Sequence, residues 1–419
     1  MQRQRGAATL VITLVLLFVM SLVVAYTNRN LIYEQKASAN QYRSTQAFEV
    51  AEAGLEWALA LINSNEPLGA DCLPSGDAGS ASFRERYLDY VPETRRYTPR
   101  TWNDAGASIA LQPACVRTDA GWSCSCPSTG NPVLVAPAGV GAYPAFALRF
   151  VEADRAGMVH VVAAGCDRVV AACISGTGTE AGNASARLQV TLGLLPALAK
   201  PPRAALTAFA SVTAGGELSL SNTDAGGTGI TANAGGGIAL PLAHLSTLPG
   251  VPVADSLAGN DVSLASLGGD AMFSFFLGLD KPRWKQQPGV RNITCSASCE
   301  SELALALGPN STNRLVWVNN DLRLSGVLSI GSPEHPVLLV VEGQVQLSGG
   351  VVIYGLIYSL AASWDTTGTG NAQVHGALIS QGDVVGNGTP ELTYDAEILK
   401  RLHGNAGTFT RVPGSWRDF

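Results

Sequence analysis

Eight cysteines and five histidines are the side chains of this sequence best suited to chemistry. The cysteines are Cys72, Cys115, Cys124, Cys126, Cys166, Cys173, Cys295 and Cys299. Thiolates make a structural zinc site when two close pairs meet, or when one pair meets histidines. Cys124 and Cys126 form C-x-C, and Cys295 and Cys299 form C-x3-C, but neither has a second pair or a nearby histidine at that spacing. No metal set is read. An even number of cysteines, all beyond a long apolar segment, reads as disulfides made in an oxidising compartment. The pairing stays open, since six cysteines in one domain allow about 15 connectivities.

The other reactive groups are isolated. His160, His244, His335, His375 and His403 form no H-E-x-x-H or other close pair. His160 lies in a strand pattern and His375 beside Gly376 in a repeated phrase, so both read as structural. Asp321, Asp365, Asp383 and Asp395 are too scattered to show the carboxylate pair of a glycosidase. Asp365 with Asn371, and Asp383 with Asn387, match no calcium-loop spacing and read as turns. The glycine runs at 226–229 and 235–237 lack the lysine and the strand–loop–helix setting of a phosphate loop. No nucleophile elbow occurs. The expectation is a protein that is not an enzyme and uses no cofactor.

The elements that would position these residues begin with MQRQRGAATLVITLVLLFVMSLVVAYTN. Ala7 to Ala25 carries no charge and has the length of a bilayer-crossing helix. Arg3 and Arg5 precede it and Glu34 is the first acid, so the rest of the chain is exported. A signal peptide cut after Val23-Val24-Ala25 is the alternative, but the apolar run is longer than such segments usually are. From Tyr26 to Asn65 there is no proline, and Gly54 is the only glycine. Ala47, Val50, Ala51, Gly54, Leu55, Ala58 and Ile62 recur at helical period, and Pro67 and Gly69 end the pattern. The spacing predicts one continuous helix over 7–65, roughly 80 Å long. Its first half is apolar all round and its second half amphipathic.

Here the sequence resembles a family. Arg5-Gly6-Ala7-Ala8-Thr9-Leu10, after a six-residue leader, is similar to a type IV prepilin junction. Gln46-Ala47-Phe48-Glu49-Val50-Ala51-Glu52-Ala53-Gly54-Leu55 resembles the QAF-x-AAEAGL segment of PilX-type minor pilins. The resemblance covers about the first 60 residues. It implies cleavage after Gly6 by a prepilin peptidase and N-methylation of Ala7. It implies an anchor in the inner membrane that later becomes the core helix of a filament. The partners it implies are other minor and major pilins, the peptidase, and a large PilY-type tip adhesin. Shaft pilins carry Glu at the fifth position after the cut, where this chain has Val11. Such a carboxylate, costly in an apolar bundle, is paired by a neighbour's terminal ammonium. Its lack suits a subunit at or near the tip.

The composition fits an exported β-rich protein. Only 14% of the 419 residues are charged, 46 are glycine, and the net charge is −6. That balance argues against a general polyanion surface, so no nucleic-acid partner is read. Residues 66–195 read as a disulfide-bearing domain with strands at 145–151, 158–164 and 186–192, an antiparallel meander packed on the helix. Residues 196–205 read as a stiff linker. In 206–419, Leu322-Arg323-Leu324-Ser325-Gly326 is echoed by Val345-Gln346-Leu347-Ser348-Gly349, 23 residues on. Tyr354-Gly355-Leu356-Ile357-Tyr358-Ser359 is echoed 21 residues on by His375-Gly376-Ala377-Leu378-Ile379-Ser380. A period of that size suggests stacked coils, a solenoid or β-helix, with a β-sandwich as the alternative. Residues 394–402 read as a short amphipathic helix capping the stack. Trp284, Trp317, Trp364 and Trp416 are expected in the core, or on a patch for a protein or glycan.

The fold class expected is therefore α+β: a long N-terminal helix on an antiparallel sheet, then a β-rich solenoid. The function expected is that of a tip-proximal minor pilin that helps start pilus assembly and presents the β-rich domain. Two alternatives remain, a K-type pseudopilin of type II secretion and an exported β-helix protein acting on polysaccharide. The first would carry a large inserted helical domain, the second a carboxylate cluster. The location expected is the inner membrane, with the C-terminal part in the periplasm, and then the pilus.

Overall fold

The computed structural model describes residues 6–77, 80–138, 143–170, 183–308, 313–365, 370–386 and 388–419. Helix α1 runs unbroken over Gly6–Ile62. The apolar stripe read from the sequence is its buried face: Ala47, Val50, Ala51, Gly54, Leu55, Ala58 and Ile62 are all buried. Each full-sized apolar side chain sequestered there contributes about 1.5–3 kcal/mol. Pro67 lies just beyond the helix end and cannot continue it. The short helix α2 (Phe83–Tyr87) follows. Hairpins β1 (Leu88–Val91) with β2 (Arg96–Pro99), and β3 (Thr101–Asp104) with β4 (Ala107–Ala110), come next.

An antiparallel sheet lies against α1. It is built from β5 (Ala114–Thr118), β6 (Gly121–Ser125), β7 (Ala145–Glu152), β8 (Met158–Cys166) and β9 (Ser185–Pro196). Strands β7, β8 and β9 carry the helix. Gly165 of β8 is where backbones meet, because a Cβ there would sit 2.2 Å from the carbonyl oxygen of Ala47. Phe83, Phe146, Phe150, Leu148, Val161 and Leu188 fill the core between helix and sheet.

The rest of the chain is a stack of parallel coils with three faces. The strands are β10 (Ala204–Ala208), β11 (Val212–Ala214), β12 (Ser219–Ser221), β13 (Ile230–Ala234), β14 (Ile238–Ala239), β15 (Leu245–Ser246) and β16 (Leu257–Ala258). After α3 (Val262–Ala265), α4 (Gly269–Leu277) and α5 (Lys281–Lys285) come β17 (Val290–Ile293), α6 (Glu300–Leu307), β18 (Leu315–Val318), β19 (Leu322–Leu324) and β20 (Val327–Ile330). Then follow β21 (Val337–Val341), β22 (Val345–Leu347), β23 (Gly350–Ser359), β24 (Ser363–Asp365), β25 (Gln373–Ser380), β26 (Asp383–Gly386) and β27 (Glu391–Tyr394). On one face the spatial order is β17-β18-β21-β23-β25-β10-β13-β16. Eight strands at about 4.8 Å spacing make a stack about 34 Å long. The chain enters in the middle, winds outward to β16, crosses through α3 to α5, and returns from β17 until β25 meets β10.

The repeated phrases are neighbours in register. Leu322 pairs with Val345 and Leu324 with Leu347, while Tyr354 pairs with His375 and Ser359 with Ser380. Leu206, Leu339, Ile357 and Leu378 fall in one buried interior row. Phe273 and Trp284 of the crossing segment cover the outside of that face, with Phe273 5.1 Å from Tyr358 and 6.0 Å from Trp317.

Two expectations are corrected. Residues 206–419 do not form one unit: β28 (Gly407–Arg411) and β29 (Arg417–Asp418) leave the stack and pair antiparallel with β9. The cause is the helix α7 (Ala396–Asn405), which does not cap the stack but lies between β23, β25 and β9, and so delivers the chain back to the first sheet.

Candidate functional site: the exposed half of the long helix

Every residue from Thr9 to Tyr42 is exposed, while the apolar stripe beyond it is buried. About 50 Å of helix therefore projects from the body. Leu10, Ile12, Leu14, Leu16, Phe18, Met20 and Leu22 are more than half exposed, as is Val11 at 58%. This is the one helix among the described residues long and apolar enough to cross a membrane. Three of its hydroxyls bond within it: Thr13 donates to Thr9 O at 3.0 Å, Thr27 to Val23 O at 2.9 Å, and Ser21 to Leu17 O. Such internal pairing removes the penalty a bare hydroxyl meets in hydrocarbon.

Gly6 opens the helix, and the side chain of Ala7 lies outside the described residues. Val11 presents no group that could bond a neighbour's amine. Within the described helix the first charged residue is Arg29, whose guanidinium lies over the Tyr33 ring.

The helix is fixed at its other end by residues that sequence reasoning missed. Asn63 receives a hydrogen bond from Phe409 N at 2.7 Å and donates to Phe409 O at 2.9 Å. The buried Arg84 donates to three carbonyls, Ile62 O at 3.1 Å, Asn405 O at 3.0 Å and Gly407 O at 3.0 Å. Its guanidinium also lies 4.9 Å from the Phe409 ring. It thus satisfies carbonyls at the ends of α1 and α7 that have no partner within their own helices. Next to it, Arg314 donates to Glu85 at 2.9 Å and to His335 Nδ1 at 2.8 Å, which joins α2 to the stack. Burial pushes the Glu85 carboxyl up, but the adjoining His335 and the Arg314 charge outweigh it and hold it at about 2. None of this was visible in the sequence, because a lone Asn or Arg carries no local pattern.

The remaining residues singled out from the sequence are structural where they are described. Cys72 is bonded to Cys126, Cys115 to Cys124 and Cys295 to Cys299. Cys166 is also oxidised, and Cys173 lies outside the described residues. Asp321 accepts from Gln344 N, Asp383 from Ser211 N and Asp395 from Ile398 N, so each carboxylate is taken by a main-chain donor. Asn387 and the side chain of Asp365 lie outside the described residues. His160 bonds Thr191, His403 bonds Leu198 O, His244 faces Glu217 and His375 stacks on Tyr354. Among the described residues no three of His, Cys, Asp and Glu are placed to hold a metal ion. Trp284 and Trp317 are buried, whereas Trp416 is half-exposed and meets Phe48 of α1 edge-on. The side chain of Trp364 is outside the described residues.

Comparison with known proteins bears on the helix. No curated protein matches the chain. Among solved structures, the competence-associated pilin ComZ from Thermus thermophilus aligns at 14% identity over 90% of this chain and 97% of that one, with a TM-score of 0.22. Residues 5–56 match the family PilX N-terminal, and they span the projecting helix and the first turns that dock it on the sheet. The projecting helix of this chain is thus similar to the N-terminal segment of the PilX family.

Proposed function

We propose that this chain is a minor pilin of a type IV pilus, placed near the tip, where it helps start assembly and carries the coil stack outward. The observation that supports this most directly is the helix itself. Residues 9–25 carry no charge and project free, its last turns are seated on a sheet, and residues 5–56 match the PilX N-terminal family. A helix of this form can rest in a bilayer and later pack among other such helices, with the body outside in both states.

In this reading a prepilin peptidase cuts after Gly6, and Ala7 becomes the N-methylated first residue. The inner membrane holds the helix before assembly, with the sheet and stack in the periplasm. Val11 leaves the subunit without the carboxylate that would pair with a neighbour's ammonium, which favours a place at an end of the filament. The partners are other pilins and a large PilY-type tip protein. The parallel coils after residue 204 favour this over a K-type pseudopilin, which would carry a helical insertion.

The test is the N-terminus of the mature protein, read by mass spectrometry from cells with and without the peptidase. A methylated Ala7 that depends on the peptidase supports the reading. A chain starting at Tyr26, indifferent to that enzyme, overturns it.

A further inference from the structure

The face of the stack built on β20, β23, β25, β27, β12 and β15 ends in two different ways. At one end β15 is two residues long and lies between Pro241 and Pro249. Short strands and prolines are the usual means of blunting a sheet edge. At the other end β20 is four residues long and contains no proline. It pairs with β23 on one side only. Gly350 N donates to Gly326 O, and alternation along a parallel ladder then turns the main-chain groups of Val327 and Ser329 to the open side. Among the described residues neither amide has a main-chain acceptor. Both side chains are exposed, Val327 at 96%.

A groove of 580 Å³ runs beside this edge, between β20 and α6. Leu303, Leu307, Leu328 and Ile330 give it apolar walls, and Glu300 and His335 also line it. Hydrogen bonds from Ser298 and from Ser325 hold the Glu300 carboxyl at about 2 despite some burial, so it is an anion at neutral pH.

We propose that β20 is a strand-addition site. Its occupant is an extended segment of another protein chain, apolar at alternate positions and basic where it meets Glu300. The main chain of that segment would bond Val327 and Ser329, and alternate side chains would enter the space between Leu303 and Leu307 of α6 and Leu328 and Ile330 of β20. This inference stands apart from the placement of the chain in a pilus, because it rests on the stack alone.

The experiment pans the full-length protein in lipid nanodiscs against a phage library of random 12-residue peptides, then follows a synthetic copy of the enriched sequence by amide hydrogen exchange. The expected result is enrichment of alternating apolar residues with a Lys or Arg at one end. The peptide should slow exchange at Val327 and Ser329, which exchange fast in the free protein. Val327→Pro removes an amide that no ladder bond uses, so the fold is kept and affinity falls at least tenfold. Glu300→Gln should weaken binding several-fold and relax the basic preference. The proposal is overturned if these amides are already protected in the free protein, or if no sequence is enriched. It is equally overturned if the enriched peptides bind as helices, protect another surface, or bind Val327→Pro unchanged.

Discussion

Asn63 and Phe409, 346 residues apart, hold each other by two hydrogen bonds across a buried contact, one in each direction. The side chain of Asn63 acts there as one more residue of a β-ladder, paired with a strand that arrives from the far end of the chain. Removing it leaves the Phe409 amide and carbonyl without partners in a place water does not reach. Asn63→Ala should therefore destabilise by about 2–3 kcal/mol, and Asn63→Asp, which sets a buried carboxylate oxygen against the Phe409 carbonyl, by at least as much at neutral pH. Urea unfolding of the detergent-solubilised protein checks this. A loss under about 0.5 kcal/mol for Asn63→Ala would show that the two ends of the chain do not depend on each other.

Glu85 gives the join between sheet and stack a pH dependence. Its carboxyl sits at about 2, below the ordinary 4.5 of glutamate. A lowered pKa means that the ionised form is favoured in the fold, so the contribution is fully present above about pH 4.5. It is lost as pH falls toward 2. The difference is worth on the order of 3 kcal/mol at most, since Glu85 keeps some contact with solvent. Glu85→Gln should cost stability at pH 7 and much less at pH 2.5, because the unfolded carboxyl is then protonated while the folded one is already partly so, and the gap between the two proteins narrows. A gap that is constant between pH 7 and pH 2.5 would refute the ion pair with Arg314 as its source.

The repeated phrases in the coil stack make a sharper prediction. Gly376 has φ +136°, and a Cβ there would lie 2.0 Å from the carbonyl oxygen of Gly355 in the coil beside it. Gly376→Ala should cost more than about 3 kcal/mol or prevent folding, through both backbone strain and the clash. Gly237→Ala, where a Cβ meets open space and φ is not in the left-handed range, should cost under about 1 kcal/mol. Thermal melts of the two variants compare them directly, and equal melting temperatures would mean the coils are not packed at Gly376 as described.

These residues also show what the sequence could reveal. The seven-residue stripe from Ala47 to Ile62 is a periodic signal, and periodicity is what burial on one helix face leaves in a sequence. The echoes at 23 and 21 residues were legible for a similar reason, since neighbouring coils repeat the same environment. The return of residues 407–418 to the first sheet was not legible. Strand pairing is recorded in register and hydrogen bonds, and β28 has no feature that names β9 as its partner. The Glu85–Arg314 pair was hidden too, because a single contact across the fold leaves no local pattern. The helix that matches the PilX N-terminal family could be recognised because its apolar run and its stripe lie in consecutive residues, whereas the coils of the stack pair residues more than 20 apart.

Val11 carries the last prediction, the place of the chain in the filament. A glutamate at this position would be an isolated carboxylate on an apolar helix, costing about 2.5–3.5 kcal/mol at the bilayer centre and less nearer the surface unless it is paired. In a shaft subunit that cost is offset by a neighbour's terminal ammonium. A subunit at the tip has no partner above it that needs such a link. Val11→Glu should therefore leave the protein's abundance along pili unchanged, and its position should stay at one end. Gold-labelled antibody against the coil stack, applied to sheared pili from native and Val11→Glu cells, reads both quantities. Label confined to one end in both strains is the expected result. Label spaced evenly along native pili, or shaft label that rises with the glutamate, would place the chain in the shaft and remove Val11 as a mark of the tip.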